Sequence, residues 1–224
     1  MLRHLPFVLT LSVASLCQPA MASDIPQKSP PNASGQPGYS IRAITPIYDQ
    51  LLAFSYPTTF NPIRENTQGP QYIQESVLKG ENTTNWTQMI TVAGLRGLAS
   101  RPEVSPQSLA EQVMSKLKST CPASFAGNEL GAMKIGEHDA FATILSCGTT
   151  ASSGKSRSET ALIISIKGKS DFYSIQWTER GQASEHPLKL DRAKWEARLK
   201  RLMPIKLCPI VPGESAPYPS CSVS

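Results

Sequence analysis

The sequence predicts an α+β fold, in which an antiparallel sheet of about six strands is flanked by two helices. Apolar segments of the kind found in strands occur on both sides of one helical segment, and a second helical segment follows them. The resulting order, strands, helix, strands, helix, lacks the regular strand–helix alternation that builds a parallel sheet. The length of 224 residues suits one domain with a tail at each end.

Three strands are expected before the first helix. Residues 51–60 (LLAFSYPTTF) form the first, and Pro57 places it at a sheet edge because proline donates no ladder hydrogen bond. Residues 71–78 and 85–92 form the next two, and the second of these is rich in β-branched and aromatic side chains. A polar Asn-Thr-Thr-Asn segment at 82–85 separates them.

The period then changes to that of a helix. Ser105 is a suitable N-cap and Pro106 a suitable first residue, because the missing N–H of proline is not needed there. Pro122 ends the helix just after Cys121. The predicted apolar stripe of this helix consists of Leu109, Val113, Met114 and Leu117.

Further strands and a final helix complete the predicted domain. The strands are expected at 141–147, 161–166 and 172–178, with a short one near 132–135 and a tight hairpin at 167–171. The final helix is expected from Arg192 to Met203, with Asp191 as its cap. Its predicted buried stripe consists of Trp195, Leu199 and Leu202.

Residues 1–22 have the layout of a secretory signal peptide. A basic start precedes an apolar stretch of about 12 residues, which is too short to span a bilayer as a helix, and Ala-Met-Ala follows at 20–22. We therefore expect a periplasmic or secreted mature chain. A lipid anchor at Cys17 is disfavoured, because the bulky Leu16 directly precedes the cysteine.

The rest of the chain divides by composition. Residues 23–44 are rich in Pro, Ser and Gly and are predicted to form a linker. Residues 45–204 contain the predicted elements of a single α+β domain, and residues 205–224 form a Pro-rich tail. No later segment approaches 18 consecutive apolar residues, so we expect no transmembrane segment after signal removal.

Four cysteines remain after the signal, namely Cys121, Cys147, Cys208 and Cys221. An even count in an exported chain indicates two disulfides, for which three pairings exist. We favour Cys121 with Cys147, which ties a helix end to a strand, and Cys208 with Cys221, which closes the tail. A metal site is disfavoured because the chain has no C-x-x-C motif and three histidines, one of them in the signal.

The chain carries a formal charge of +5, and basic residues concentrate in one stripe near the final helix. Such a stripe suits an anionic partner, although a solvated helix face with cations near its C-terminus has the same pattern. The candidates for partner contact are Arg198, Lys200 and Arg201, and nucleic acid is not the expected partner. The stripe consists of Arg192, Lys194, Arg198, Lys200, Arg201 and Lys206, with Asp191 and Glu196 among them.

The best enzyme hypothesis rests on Glu137, His138 and Asp139, because a histidine beside carboxylates can act as a general base or bind metal. Neighbours in an extended segment point to opposite sides, so a polar turn is the favoured interpretation. No G-x-S-x-G or complete phosphate-loop motif occurs. We predict no catalytic residues, no metal ligands and no cofactor.

The order of elements from Leu51 to Met203 resembles the PsbP/Mog1-like fold, an α/β/α sandwich. The F-x-Y-P-x-x-F opening, with Phe54, Tyr56, Pro57 and Phe60, is similar to that of bacterial members. The resemblance implies an accessory, assembly or partner-binding module and carries no catalytic motif.

We therefore expect an exported, non-catalytic envelope accessory or binding protein, whose partner is a protein or an envelope component. The alternatives are a secreted hydrolase or metal-dependent enzyme that uses Glu137, His138 and Asp139, and a secreted surface-recognition or virulence-related factor.

Overall fold

The computed structural model describes residues 39–152 and 155–222, which form an α+β fold and confirm the predicted class. The predicted signal peptide and the predicted linker up to residue 38 lie outside the described residues. In chain order the strands are β1 (Ser40–Ile47), β2 (Gln50–Pro57), β3 (Phe60–Gln68), β4 (Gln71–Leu78), β5 (Gln88–Leu95), β6 (Phe125–Ile135), β7 (His138–Ser152), β8 (Lys155–Lys167), β9 (Phe172–Gln182) and β10 (Lys206–Pro209).

The described strands form two sheets instead of the one that was predicted. The larger sheet has seven strands in the order β3-β4-β5-β9-β8-β7-β6, and every neighbouring pair is antiparallel. The smaller sheet has the order β1-β2-β10 and is also antiparallel. The expected number of about six strands is therefore wrong, because the first predicted strand divides into β2 and β3, which belong to different sheets.

Helix α1 (Pro106–Thr120) begins and ends where the sequence predicts. The Ser105 hydroxyl accepts a hydrogen bond from the Ser108 N–H, and the Ser108 hydroxyl accepts one from the Ser105 N–H, which completes a capping box. Cys121 is the C-cap and forms a disulfide with Cys147 of β7. This disulfide fixes the carboxyl end of α1 to the larger sheet.

Helix α2 (Arg192–Leu202) is also capped as predicted, because the Asp191 carboxylate accepts a hydrogen bond from the Lys194 N–H. Trp195 and Leu202 are fully buried, and full burial of such side chains contributes about 1.5–3 kcal/mol each. This burial holds a short helix whose other residues are mostly charged. Within residues 39–152 and 155–222, no helix has both the length and the apolar character needed to cross a membrane.

The main core lies between the larger sheet on one side and the smaller sheet with α2 on the other, while α1 packs against β6, β7 and β8. Alternation along the strands sends every second side chain into this core. The buried residues that meet there include Leu52, Phe54, Ile90, Ile164, Ile175, Trp177, Trp195 and Leu202.

Two chain segments predicted as irregular contribute to the smaller sheet. β1 begins at Ser40, inside the segment predicted as a linker, and β10 lies in the predicted tail. Cys208 of β10 forms a disulfide with Cys221 in the short helix α3 (Pro219–Ser222), the pairing that the sequence favoured. Strand pairing therefore attaches the tail to β2, and the disulfide holds α3 against β10.

Candidate functional site

The three predicted partner-binding residues lie on α2 but in different environments. The Arg198 side chain is only 12% exposed, whereas Lys200 and Arg201 are exposed. Arg198 follows Trp195 by three residues, so helical geometry places both on the side of α2 that faces the sheet. The structure therefore separates the three residues into one mostly internal position and two surface positions.

The Arg198 guanidinium lies between two tryptophan rings. Its carbon is 4.4 Å from the ring centroid of Trp195 and 5.1 Å from that of Trp177, and the Arg201 guanidinium is 5.5 Å from the Trp177 centroid. The Gln88 side-chain oxygen accepts hydrogen bonds from Arg198 and from the Trp177 indole. Each cation–π contact is worth about 0.5–2 kcal/mol, depending on desolvation. We call Trp177, Trp195, Arg198 and Arg201 the arginine–tryptophan cluster.

The Glu179 carboxylate pairs with two cations of this helix face, Lys194 and Arg198. Glu179 Oε2 lies 2.5 Å from Arg198 Nη2 and 2.7 Å from Lys194 Nζ. Burial raises the pKa of Glu179, but the hydrogen bonds and charges of Lys194 and Arg198 outweigh it, so this pKa lies below its ordinary value. Burial lowers the pKa of Arg198, Glu179 opposes this change, and the nearby charge of Arg201 adds to it. Glu179 alone cannot neutralise Lys194, Arg198 and Arg201.

The exposed end of α2 therefore carries excess positive charge. Among the described residues, Lys200 and Arg201 form no ion pair, whereas Arg192 pairs with Glu196 one helical turn later. A cleft of about 250 Å³ opens on the same side of the sheet, beside Glu179, Lys194 and Trp195. The cleft lies at the amino end of α2 and is lined by the carboxylates of Glu179 and Asp191, so the unpaired cations at the carboxyl end of the helix, and not the cleft, offer a surface to an anionic group.

The residues of the enzyme hypothesis are not brought together by the β6–β7 turn. The His138 Nδ1 atom lies 3.1 Å from the Lys167 carbonyl oxygen, and Asp139 pairs with Lys134 at 2.5 Å. The hydrogen bond and charge of Lys134 lower the pKa of Asp139. Glu137 is exposed in the turn. Asp139 and Lys134 line a shallow cleft of about 370 Å³ at the amino end of α1, which contains neither Glu137 nor His138.

A metal site that joins the two histidines outside the signal is also not formed. His138 begins β7, whereas the His186 carbonyl oxygen lies close to Gly148, ten residues further along that strand. Ten residues of extended chain span roughly 33 Å. Within the described ranges, no three Asp, Glu, His or Cys side chains cluster as metal ligands.

A polar cluster that sequence reasoning missed connects the two sheets. Asp49 lies in the turn between β1 and β2, and Asp171, which is 2% exposed, directly precedes β9. The Tyr173 hydroxyl lies 3.3 Å from an Asp49 oxygen, 3.5 Å from an Asp171 oxygen and 3.3 Å from the Ile47 carbonyl oxygen. The second Asp171 oxygen accepts a hydrogen bond from the Gly97 N–H at 2.6 Å. One hydroxyl hydrogen cannot satisfy both carboxylates, so the pair is suited to sharing a further proton.

The surroundings move the pKa values of the two carboxyls in opposite directions. Burial raises the pKa of Asp171, the Gly97 hydrogen bond opposes this change, and the neighbouring Asp49 reinforces it, so the net pKa is raised. Burial also raises the pKa of Asp49, but hydrogen bonds with Asp171, Ser170 and Tyr173 outweigh it, so the net pKa is lowered. Asp171 is therefore the carboxyl that retains the shared proton.

Asp171→Asn is expected to gain stability relative to the unmodified chain as the pH rises from 4 to 8. Asparagine can accept from Gly97 and donate to Asp49, as protonated Asp171 does. A carboxyl with a raised folded pKa stabilises the fold below its unfolded pKa, and this contribution is lost as pH rises through the folded pKa. Urea midpoints at pH 4, 6 and 8 measure the difference between the two proteins.

Asp139→Asn provides a control of opposite sign. The pKa of Asp139 is lowered in the fold, so its contribution is present above the unfolded pKa and is lost as pH falls through the folded pKa. This variant should therefore lose stability relative to the unmodified chain as the pH rises through the range at and below about 4, the ordinary pKa of an aspartate, so its urea midpoints are compared near pH 2, 4 and 6. Parallel stability curves for Asp171→Asn and the unmodified chain would show that the proton is not shared at Asp171.

Comparison with known proteins identifies no family for this chain. No protein-family model and no curated protein matches it. A solved structure from Bacteroides thetaiotaomicron matches with 14% identity and a TM-score of 0.38, over 74% of this chain and 50% of that one. The chain thus spans half the length of that protein. LpqN of Mycobacterium tuberculosis, described as involved in cell envelope biogenesis, matches with 12% identity and a TM-score of 0.37, over 78% of this chain and 100% of LpqN.

Proposed function

We propose that this chain is an exported, non-catalytic binding protein of the cell envelope, which recognises an anionic protein or envelope component through the basic face of α2. The observation that carries the proposal is the charge imbalance at the arginine–tryptophan cluster. Glu179 is shared between Lys194 and Arg198, while Lys200 and Arg201 have no carboxylate partner in the described ranges. Charge complementarity of this kind steers a partner and fixes its orientation.

Arg198 and Arg201 have different roles in this proposal. Arg198 is held by Glu179 and the tryptophan rings, so it lies beneath the binding surface and adds positive potential to it without contacting the partner. Lys200 and Arg201 contact the partner directly. Both lie in the last turn of α2, where the negative end of the helix dipole offsets part of their charge, so a partner with more than one negative charge suits this surface best.

Export is part of the proposal and rests on separate observations. The signal layout of residues 1–22 predicts removal of that segment and delivery to the periplasm or beyond. Two disulfides join all four remaining cysteines, as is usual for proteins that fold in an oxidising compartment. We further propose a PsbP/Mog1-like arrangement, which the order of strands and helices supports, and a partner-binding role of the kind that this resemblance implies.

Reversal of the exposed charges tests the binding surface. The Lys200→Glu/Arg201→Glu variant, immobilised beside the unmodified chain, should recover at least tenfold less partner from envelope extract at physiological salt. The control is Lys79→Glu/Lys118→Glu, which makes the same charge change at two exposed lysines outside α2. Circular dichroism confirms that all three proteins are folded. Equal recovery by both double variants and the unmodified chain would refute the assignment of this surface.

A further inference from the structure

The outer edge of β1 presents backbone groups without partners. The Thr58 N–H donates to the Tyr39 carbonyl at 2.9 Å, and the register between β1 and β2 continues without a shift from Ser40 to Ile47. In an antiparallel ladder only every second residue bonds to the neighbouring strand. Residues 41, 43, 45 and 47 therefore face β2, while Ser40, Arg42 and Ile44 direct both their N–H and C=O groups away from it.

β1 pairs only with β2 in the described part of the chain, so these outward groups are available to another strand. Pro46 is the next outward position, where its missing N–H leaves the β2 ladder intact. Pro57 likewise lies opposite Ser40, at a position that forms no bond between the strands. The prolines thus agree with the alternation deduced from Thr58 and Tyr39.

The other three sheet edges are interrupted or short, whereas β1, although it contains Arg42 and Pro46, is neither. The edge strand β3 has a register shift between Pro62 and Arg64, and the edge strand β6 has one between Glu129 and Gly131. β10 is four residues long and ends at Pro209. Bulges, prolines, charges and short length are the usual devices that protect an edge. Among these four edges, β1 is the one that combines a length of eight residues with a ladder free of register shifts.

The side chains of β1 define the partner that fits. Tyr39, just before β1, is 88% exposed and Ile41 is 57% exposed, and their spacing of two residues in an extended segment places both apolar side chains on the same face. The Arg42 guanidinium has two buried nitrogens, Nε and Nη2, without hydrogen-bond partners among the described residues. On an added strand, the residue opposite Arg42 places its side chain on the same face of the sheet as Arg42. The residues before and after it on that strand place their side chains on the face of Ile41.

From this arrangement we infer that β1 binds an extended segment of a partner protein as a fourth, antiparallel strand, and that this segment has an apolar–acidic–apolar sequence. The acidic residue lies opposite Arg42 and exchanges two backbone hydrogen bonds with it. The apolar neighbours cover Ile41 and Ala43. Main-chain hydrogen bonds supply affinity and the alternating side chains supply specificity, as in other cases of strand addition. This interaction is separate from the surface proposed on α2.

Synthetic octapeptides test the inference with the purified full chain. One peptide has a Val-Glu-Val centre flanked by threonines, and its matched control has Val-Lys-Val. Fluorescence anisotropy should show binding of the acidic peptide and at least tenfold weaker binding of the basic one. Arg42→Glu should reverse this preference. Lys200→Glu/Arg201→Glu should leave peptide binding unchanged, which separates this result from the test of α2.

Methylation of single peptide nitrogens tests the backbone contacts. N-methylation of the glutamate should abolish binding, because its N–H faces Arg42, whereas N-methylation of either valine should have little effect. Ser40→Pro, which removes one outward donor from an exposed position, should weaken binding, and Ser40→Ala should not. No binding of the acidic peptide at millimolar concentration, or equal binding of both peptides, would overturn the inference. Sedimentation that shows a dimer abolished by Ser40→Pro would also overturn it, because a second copy would then occupy the edge.

Discussion

Arg198→Met is expected to lower the free energy of unfolding by about 3 kcal/mol. Breaking a buried ion pair by removing one partner typically costs about 3–5 kcal/mol, and this change lies at the lower limit because Glu179 is partly exposed and keeps its pair with Lys194. Methionine fills the space between Trp177 and Trp195 but removes the charge from both rings and the hydrogen bond to Gln88. Urea denaturation at pH 7 measures the loss.

Lys200→Met is the matched control, because it makes the same chemical change at an exposed position of α2 and should cost less than about 0.5 kcal/mol. A double-mutant cycle with Glu179→Gln isolates the interaction between Arg198 and Glu179. If Arg198→Met changes stability by less than 1 kcal/mol, the arginine–tryptophan cluster does not support the fold.

Removal of the disulfide between Cys121 and Cys147 is expected to cost about 3.5 kcal/mol. The two cysteines are 26 residues apart in sequence, and the chain-entropy model assigns about this value to a loop of that length. Both cysteines are buried, so alanine is the replacement that adds no polar group to the site. Urea denaturation of Cys121→Ala/Cys147→Ala under oxidising conditions measures the change.

The corresponding change of the other pair provides the comparison. Cys208→Ala/Cys221→Ala opens a shorter loop at the edge of the smaller sheet, for which the same model gives about 3 kcal/mol. Hydrogen exchange should distinguish the two, because loss of Cys121–Cys147 affects the larger sheet, whereas loss of Cys208–Cys221 loosens β10 and α3. A loss below 1 kcal/mol for the first variant would mean that packing alone holds α1 on β7.

The helix boundaries could be predicted because their signals are local. The adjacent residues Ser105 and Pro106 mark the start of α1, and the Asp191 carboxylate caps α2 by accepting a hydrogen bond from the Lys194 N–H. β4 was predicted with its observed bounds, 71–78, because turn residues flank it on both sides. Each of these signals acts over fewer than about five residues, which is the range in which sequence patterns are most informative.

The smaller sheet could not be predicted because its strands depend on distant partners. Lys206–Pro209 pairs with Gln50–Ala53, which lies mostly within a predicted strand, but the prolines of the tail indicated irregular structure for the later segment. β6 was underestimated for a related reason. Gly127 and Gly131 weaken its intrinsic strand preference, and the paired β7 supplies what the local sequence lacks.

The candidate sites also combine features that a local sequence pattern predicts with features that depend on residues distant in the chain. The basic stripe of α2 is visible in the sequence, but the burial of Arg198 follows from Trp177 and Glu179, which β9 places against the helix. Asp49 and Asp171 belong to two separate turns, and no short motif connects them. Their proximity arises only when the two sheets pack together.

The pairing of β2 with β10 means that the smaller sheet cannot finish folding until the carboxyl-terminal part of the chain is present. A polypeptide that leaves a translocation channel amino end first releases β2 about 150 residues before β10, so β2 lacks one neighbour during most of its passage. Until then its apolar side chains, including Leu51 and Ala53, lack the cover supplied by the Cys208–Cys221 region. Such exposed strands favour aggregation and chaperone binding. The last segment to emerge therefore closes the structure, and holding factors have their clearest opportunity to bind before it arrives.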